Sequence, residues 1–430
     1  MLALLGFLTI FVFLYLILTK KTSVIVALII VPLLFGLFTG HTIDLGPMML
    51  DGIIEVAPTA IMLAFAILYF GIMNQAGLFD PIIKRVLILV KGDPLKIVIG
   101  TAVIGMFAHL DGSGASTFLI TIPALLPLYN RLKMSKLVLA CVVALSAGTM
   151  NLLPWGGPTA RASASLNIDT TDIFNPVIPA MLVGLLWVFF VAYLLGKRER
   201  KRLGIEDSSF EYTMEISKEE QELKRPKLFW FNLLLTIVLI VFLIQVWFPL
   251  PVVFMVGFVI ALIVNYPNAK VQQERIDSLA VGVVTIVTII FAAGIFTGVL
   301  SGTGMVEAMA NSLVSIIPEG LGTQMAIILA IASMPLSLVF TPDAFYFGVL
   351  PILSEAAATY GISGAEMARA AILGQITTGF PISPLTPSTF LLIGLAGVDL
   401  ADHQKFTFKW AFGTTIVMTI VCVLIGVIPF

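Results

Sequence analysis

Two aspartates stand where a chain rarely keeps a carboxylate without a use for it. Asp111 lies inside the apolar stretch 95–129 and Asp343 inside 323–358. A charged side chain at the centre of such a stretch costs about 2.5–3.5 kcal/mol on insertion scales, and the acids retained there bind protons or cations or pair with a base. Both read as proton- or cation-coupling groups, with helix capping as the plainer alternative, since Asp is a common N-cap. After Asp111 comes Gly112-Ser113-Gly114-Ala115-Ser116-Thr117. Ser113, Gly114, Ser116 and Thr117 offer hydroxyls and open amides at the start of an apolar helix, where N–H groups attract anions. A carboxylate ligand suits that end better than a cation does; close packing of small residues is the alternative. His109 titrates near neutrality and could shuttle protons, or pack as a hydrogen-bonded polar residue.

Two proline-rich interruptions carry the remaining candidates. Residues 151–159 contain Asn151, Gly156, Gly157 and Thr159, and residues 379–387 contain Ser383 and Thr386, followed by Ser388 and Thr389. These are uncharged donors and acceptors, suited to a site that must release its ligand. Prolines alone can kink a helix, but Pro381, Pro384 and Pro387 fall within seven residues and predict local unwinding. Arg161 follows Thr159 among Ala, Ser and Leu. Its guanidinium forks onto carboxylates, so it either contacts an anionic ligand, pairs with Asp111 or Asp343, or snorkels to an interface.

The elements that must position these groups are membrane helices. The 430 residues are 59% hydrophobic and 11% charged, where a soluble domain carries roughly a quarter charged residues. A net charge of -1 gives no sign of nucleic-acid binding. Cys141 and Cys422 lie in apolar runs and read as packing residues, and His41 and His403 fall in predicted loops without a role. Hydropathy predicts spans at 2–19, 23–40, 53–75, 136–166, 175–196, 228–249, 251–266, 280–301, 367–398 and 405–428. The first lacks a basic leader and a cleavage site, so it reads as a retained helix. Stretches 95–129 and 323–358 are split midway and predict re-entrant hairpins; 136–166 and 367–398 predict broken helices. Irregular backbone at membrane depth is tolerated only where it lines a wet cavity or is buried in protein.

The chain also repeats itself. Residues 70–80 resemble 297–307, after which Asp111 falls opposite Asp343, Pro154 opposite Pro381, Thr159 opposite Thr386, and Asp169/Asp172 opposite Asp399/Asp402. The two Asp pairs each precede a span and read as interfacial caps. Lys84, Arg85, Lys91, Lys96, Arg131, Lys133 and Lys136 flank the first predicted hairpin, whereas only Arg369 flanks the second. By the positive-inside rule those loops lie on opposite sides, so the expected fold is an all-α polytopic membrane protein of two inverted repeats. The repeats occupy 1–196 and 228–430, with about ten crossings and two hairpins between them, and a basic linker, 197–227, faces the cytoplasm. Its middle is polar and acidic and expected to be flexible. Inverted repeats with discontinuous helices belong to secondary transporters that hold substrate near the midplane. The alternatives from other classes are an intramembrane aspartyl protease, whose paired carboxylates share a proton, and a channel.

Residues 91–98 (KGDPLKIV), Pro154-Trp155-Gly156-Gly157, Lys224-Arg225-Pro226-Lys227-Leu228, Asn265-Tyr266-Pro267-Asn268, 349–355 (VLPILSE) and Asp402-His403-Gln404-Lys405-Phe406 resemble the citrate-metal:proton symporters of the ion transporter superfamily, relatives of the divalent anion/sodium symporters. The resemblance runs end to end. It implies proton-coupled uptake of citrate complexed with a divalent cation such as Mg²⁺ or Ca²⁺ across a bacterial-type inner membrane. It further implies a homodimer with an elevator-like transport domain and no cofactor beyond the cargo's own metal. Asp111 and Asp343 would then be the acids nearest a dication. The chain departs from the family at the first tip, where Ser113 replaces an acid, and at Thr341-Pro342-Asp343, where the family reads Pro-Asn-Asp. A hard dication prefers several oxygen ligands, carboxylates above all, so free citrate or a smaller carboxylate is the alternative cargo.

Overall fold

A computed structural model describes residues 1–90, 92–204, 218–315 and 318–430, which are helical with no strand among them. Lys91 and linker residues 205–217, with the flexibility expected there, lie outside the described residues. Among the described residues, six helices are long and apolar enough to cross a membrane: Leu45–Gln75, Pro94–Asp111, Thr170–Leu203, Pro226–Gln245, Ala269–Gly302 and Leu400–Leu424. Shorter apolar helices include Leu2–Leu18, Val24–Gly36 and Leu250–Asn265. Two helices begin earlier than hydropathy predicts, at Leu45 and Ala269. The second opens on a polar segment, Lys270 to Arg275, for which Asn268 supplies the cap, accepting from the Lys270 and Val271 N–H groups.

These two long helices pack along each other, and glycine sets how close they come. A Cβ at Gly52 would lie 2.0 Å from the Gly294 carbonyl oxygen, and one at Gly298 would lie 2.4 Å from that of Met48. Small residues let helix backbones approach this closely where lipid supplies no hydrophobic drive. Backbone contacts cannot yield as a side chain can, so Gly52→Leu should destabilise the fold by about 3 kcal/mol, the upper range for overpacking. Thermal unfolding in detergent measures this, and an unshifted transition would refute the close pairing.

Around this pair the packing is reciprocal. Leu45–Gln75 packs on Leu250–Asn265, and Ala269–Gly302 on Val24–Gly36. Lys136–Met150 packs on both Pro94–Ala108 and Gly114–Arg131, while Gly364–Ile372 packs on both Met325–Leu336 and Leu350–Ala358. The second pieces of the interrupted helices cross over: Gly157–Leu166 reaches Leu350–Ala358, and Pro387–Ala396 reaches Gly114–Arg131. With its terminal turn, the helix from Pro94 reaches 18 residues, longer than the sequence implied for one arm of a hairpin. Met325–Leu336 has only 12. It is followed by a π-helical segment, Ala344–Val349, that runs into Leu350–Ala358.

Polar clasps fix the loop ends. Arg200 pairs with Asp93, the cap of Pro94–Ala108, and neighbouring Glu199 accepts from the Ser135 N–H at 2.9 Å. Lys224 pairs with Asp80 at 2.9 Å, and Arg225 donates to the Asn265 carbonyl while lying over the Tyr266 ring. Asp169 and Asp399 cap their helices as expected.

Candidate functional site

The first tip is a 3₁₀ turn, His109–Asp111, closed by Gly112 at φ 70° and followed by the helix from Gly114. Ser113, not Asp111, caps that helix, accepting from the Ser116 N–H. Asp111 folds back over the same helix start. Its Oδ1 accepts from the Ser113 N–H at 2.9 Å and its Oδ2 takes the Ser116 hydroxyl. A carboxylate at a helix N-terminus is favoured by the dipole, and both oxygens of this one are held at the helix start. The Trp155 indole braces it, donating to the Leu110 carbonyl at 2.8 Å.

The first interrupted helix stops at Met150 and resumes at Gly157. A Cβ at Gly156 would fall 2.0 Å from the Asn151 carbonyl oxygen, so this return is open to glycine alone. Asn151 joins three parts of the molecule. Its amide donates to the Ile376 carbonyl at 2.7 Å, while its Oδ1 faces the Gly157 N–H and His109 Nε2, both at 3.3 Å. Ile376 belongs to the second break and sits at φ 55°. One side chain therefore ties the first tip and both breaks together.

Arg161 donates from Nε to Asp343 at 2.8 Å and from Nη1 to the Gly157 carbonyl at 3.3 Å. Both side chains of the pair are only 11% exposed, so the snorkelling alternative does not describe this arginine. Of the two acids the sequence offered as partners, it takes Asp343. That aspartate stands at the N-cap of the π-helical segment without a side-chain capping bond.

The second break starts earlier than its prolines indicate. The helix Gly364–Ile372 ends before Gly374, and helix returns at Pro387. Gly374 lies against the Met334 N–H group, where a Cβ would approach to 2.4 Å. Ser337, Gln375 and Tyr346 wire the added part. Ser337 donates to Gln375 Oε1 at 2.6 Å, and the Tyr346 hydroxyl donates to the Gln375 carbonyl at 3.0 Å. With Phe340, Pro342, Ile376, Phe380, Ser383 and Thr386, Ser337 and Gln375 line a tight crevice without room for a water molecule.

The structure brings Asp111, Ser113, Ser116, His109, Thr117, Asn151, Gly157, Arg161 and Asp343 into one polar path. Gly114 faces Ser388 and Phe380 across the interface. Several predicted ligand hydroxyls already serve the backbone. Thr159 donates to the Leu152 carbonyl, Thr386 and Thr389 to that of Phe380, and Ser383 to that of Ser337. Only their lone pairs remain for a ligand. Sequence reasoning missed Ser337, Gln375, Tyr346 and Phe380, since hydroxyl, amide and aromatic residues in apolar runs give no local signal. It also misread His403, which is fully buried on the helix Leu400–Leu424 and bonded to the Pro381 carbonyl at 2.9 Å, not in a loop.

Comparison with known proteins gives this geometry its context. The family model described as Citrate transporter matches residues 13–374. A citrate transporter of Bacillus subtilis (strain 168) is 57% identical over 430 residues, covering all of both chains. A Mg²⁺/citrate complex secondary transporter of the same organism is 50% identical over 431 residues, covering all of this chain and 99% of its own. Among solved structures, the Neisseria gonorrhoeae MtrF efflux pump aligns at 13% identity with a TM-score of 0.59, over 90% of this chain and 85% of its own. The Alcanivorax borkumensis YdaH transporter aligns at 12% identity with a TM-score of 0.52, over 88% and 86%. Those two likenesses speak to fold alone. The relatives overturn the protease reading of the paired aspartates, because their relation covers the whole chain and they are transporters, not enzymes. This multi-pass membrane chain belongs to the citrate transporter family.

Proposed function

We propose that the protein carries citrate into the cell across a bacterial-type inner membrane, in symport with protons, with a dication crossing as part of the cargo. The observation that carries this reading is the Asn151 bridge. Through it the Asp111 tip and the Arg161–Asp343 pair belong to one site between the two breaks. Arg161 and the amides at Gly114 are the anion-attracting groups, with Ser113, Ser116, Asn151, Gly157 and Ser388 as further ligand contacts. Among the described residues, no three of His, Cys, Asp and Glu cluster as a metal site. Both oxygens of Asp111 are engaged by Ser113 and Ser116. A dication would therefore bring most of its oxygen ligands with it, from citrate, and its charge would leave the complex a monoanion, less demanding of protein cations than the citrate trianion.

Proton coupling falls to Asp111, Asp343 and His109. Thr117 commits its single hydroxyl hydrogen to the Ser113 carbonyl, so its oxygen faces His109 Nδ1 as an acceptor at 2.7 Å. Asn151 likewise turns its Oδ1 to Nε2. A neutral imidazole has one N–H and satisfies one of these acceptors; a protonated one satisfies both. The reciprocal packing supports inverted repeats over 1–196 and 228–430 with re-entrant hairpins. The linker 197–227 lies on the cytoplasmic side in this reading. A homodimer with an elevator-like moving part, in which lipid surrounds the apolar helices, completes the proposal.

Uptake of labelled citrate into proteoliposomes under an inward proton gradient tests it, with Mg²⁺ or Ca²⁺ present or chelated. The expected result is gradient-driven accumulation that a chelator suppresses. Undiminished uptake under chelation would assign the cargo as free citrate, and no citrate uptake in any arm would overturn the reading.

A further inference from the structure

Phe380 stands between the two tips. Its ring lies nearly parallel to those of His109 and Phe118, with centroids 6.0 and 6.1 Å away and interplanar angles of 27° and 21°. A side chain at Gly114 would meet it at 2.9 Å. The same residue bounds the cleft lined by Ser337, Pro342 and Gln375. One aromatic side chain thus touches the Asp111 tip and walls the crevice that reaches Pro342, the residue before Asp343.

Three successive carbonyls around this ring are held by side chains. The Phe380 carbonyl accepts from both Thr386 and Thr389, at 2.8 and 2.6 Å. The next two carbonyls are taken by the terminal helix, Pro381 by His403 Nε2 and Ile382 by the Gln404 amide, each at 2.9 Å. A carbonyl can only accept, so the His403 hydrogen resides on Nε2. His403 is fully buried, and its other ring nitrogen faces the Thr407 hydroxyl at 3.3 Å. Unwound backbone has no helical partners for these carbonyls, so the side chains that take them determine where the wall stands.

We propose that Phe380 is a specificity-determining residue that limits the size of the bound anion, and that His403 is the positioning residue that holds it. This rests on the citrate reading above. Packed interiors are dense enough for one methyl group to be felt, and a pocket of this kind discriminates one methylene by about tenfold to 200-fold.

The experiment compares labelled citrate uptake in proteoliposomes with competition by citrate bearing one added methyl group. Phe380→Leu should still carry citrate while the methylated competitor gains roughly tenfold relative to citrate. His403→Gln, which keeps a donor near the Nε2 position, should retain the original ratio. His403→Leu should lower the maximal rate and relax the ratio, although His403 touches no ligand. An unchanged ratio in a citrate-transporting Phe380→Leu protein overturns the wall, and an unchanged rate and ratio in His403→Leu overturns its positioning. Should Phe380→Leu fail to fold, Phe380→Tyr decides: its added hydroxyl should raise the KM for citrate, and an unaltered KM counts against the proposal. Absence of citrate uptake by the unaltered protein strikes the citrate reading itself, and the size limit falls with it.

Discussion

Arg161→Gln is expected to reduce citrate uptake at least 100-fold and to lower the thermal stability of the protein in detergent. The stability loss follows from Asp343, which the substitution leaves as an unpaired carboxylate in a site where both partners are only 11% exposed. Removing one member of a buried pair costs about 3–5 kcal/mol, mostly from the charge left behind. Arg161→Lys should fare little better. One ammonium cannot copy a planar fork whose Nε serves Asp343 and whose Nη1 serves the Gly157 carbonyl. The double substitution Arg161→Gln/Asp343→Asn separates the two roles the arginine can have. With no orphaned charge it should recover most of the lost melting temperature, yet show no exchange of internal for external citrate, which needs no net proton movement, if Arg161 binds the citrate anion. Recovery of exchange alongside stability would make Arg161 a counter-ion alone.

The second large effect is expected at Asp111. Asp111→Asn keeps an oxygen for the Ser113 N–H and offers an amide to Ser116, so the tip should fold. It can no longer exchange a proton. Accumulation driven by an imposed proton gradient should then be abolished, while exchange of internal for external citrate, which needs no net proton movement, should persist. A charge moving through about 100 mV supplies about 2.3 kcal/mol, equivalent to a concentration ratio of roughly fifty at 1.4 kcal/mol per tenfold. Loss of one coupled proton should therefore lower steady-state accumulation by roughly that factor. Asp343→Asn should also abolish gradient-driven uptake, with the added consequence that Arg161 loses its partner. Gradient-driven uptake at the wild-type level by both variants would remove the coupling role from these acids.

Much of this was legible in the residues. Apolar length located the helices because lipid requires each backbone group to be satisfied within its own segment. Glycine and proline located the first break, since Gly156 admits no Cβ against the Asn151 carbonyl. Intramembrane charge picked out Asp111, Arg161 and Asp343, because such residues are costly wherever the chain folds. The second break was legible only in its proline half. Its earlier part, from Leu373 to Thr378, unwinds because Gly374 packs against the backbone at Met334 and Asn151 captures the Ile376 carbonyl. Neither partner is near in sequence.

The sequence by itself determined the solvent in which the chain folds, the order of its helices, the first break and the proline half of the second, and the charged groups that need partners. Each of these follows from local cost: transfer of a side chain to lipid, or a backbone angle that only certain residues adopt. Tertiary structure alone decided that Arg161 takes Asp343, that Asn151 joins the two halves, and that His403 leaves its apparent loop to hold the Pro381 carbonyl. Those pairings join residues up to 225 positions apart. A hydrogen bond or ion pair gains its energy from proximity that only the packed helices create.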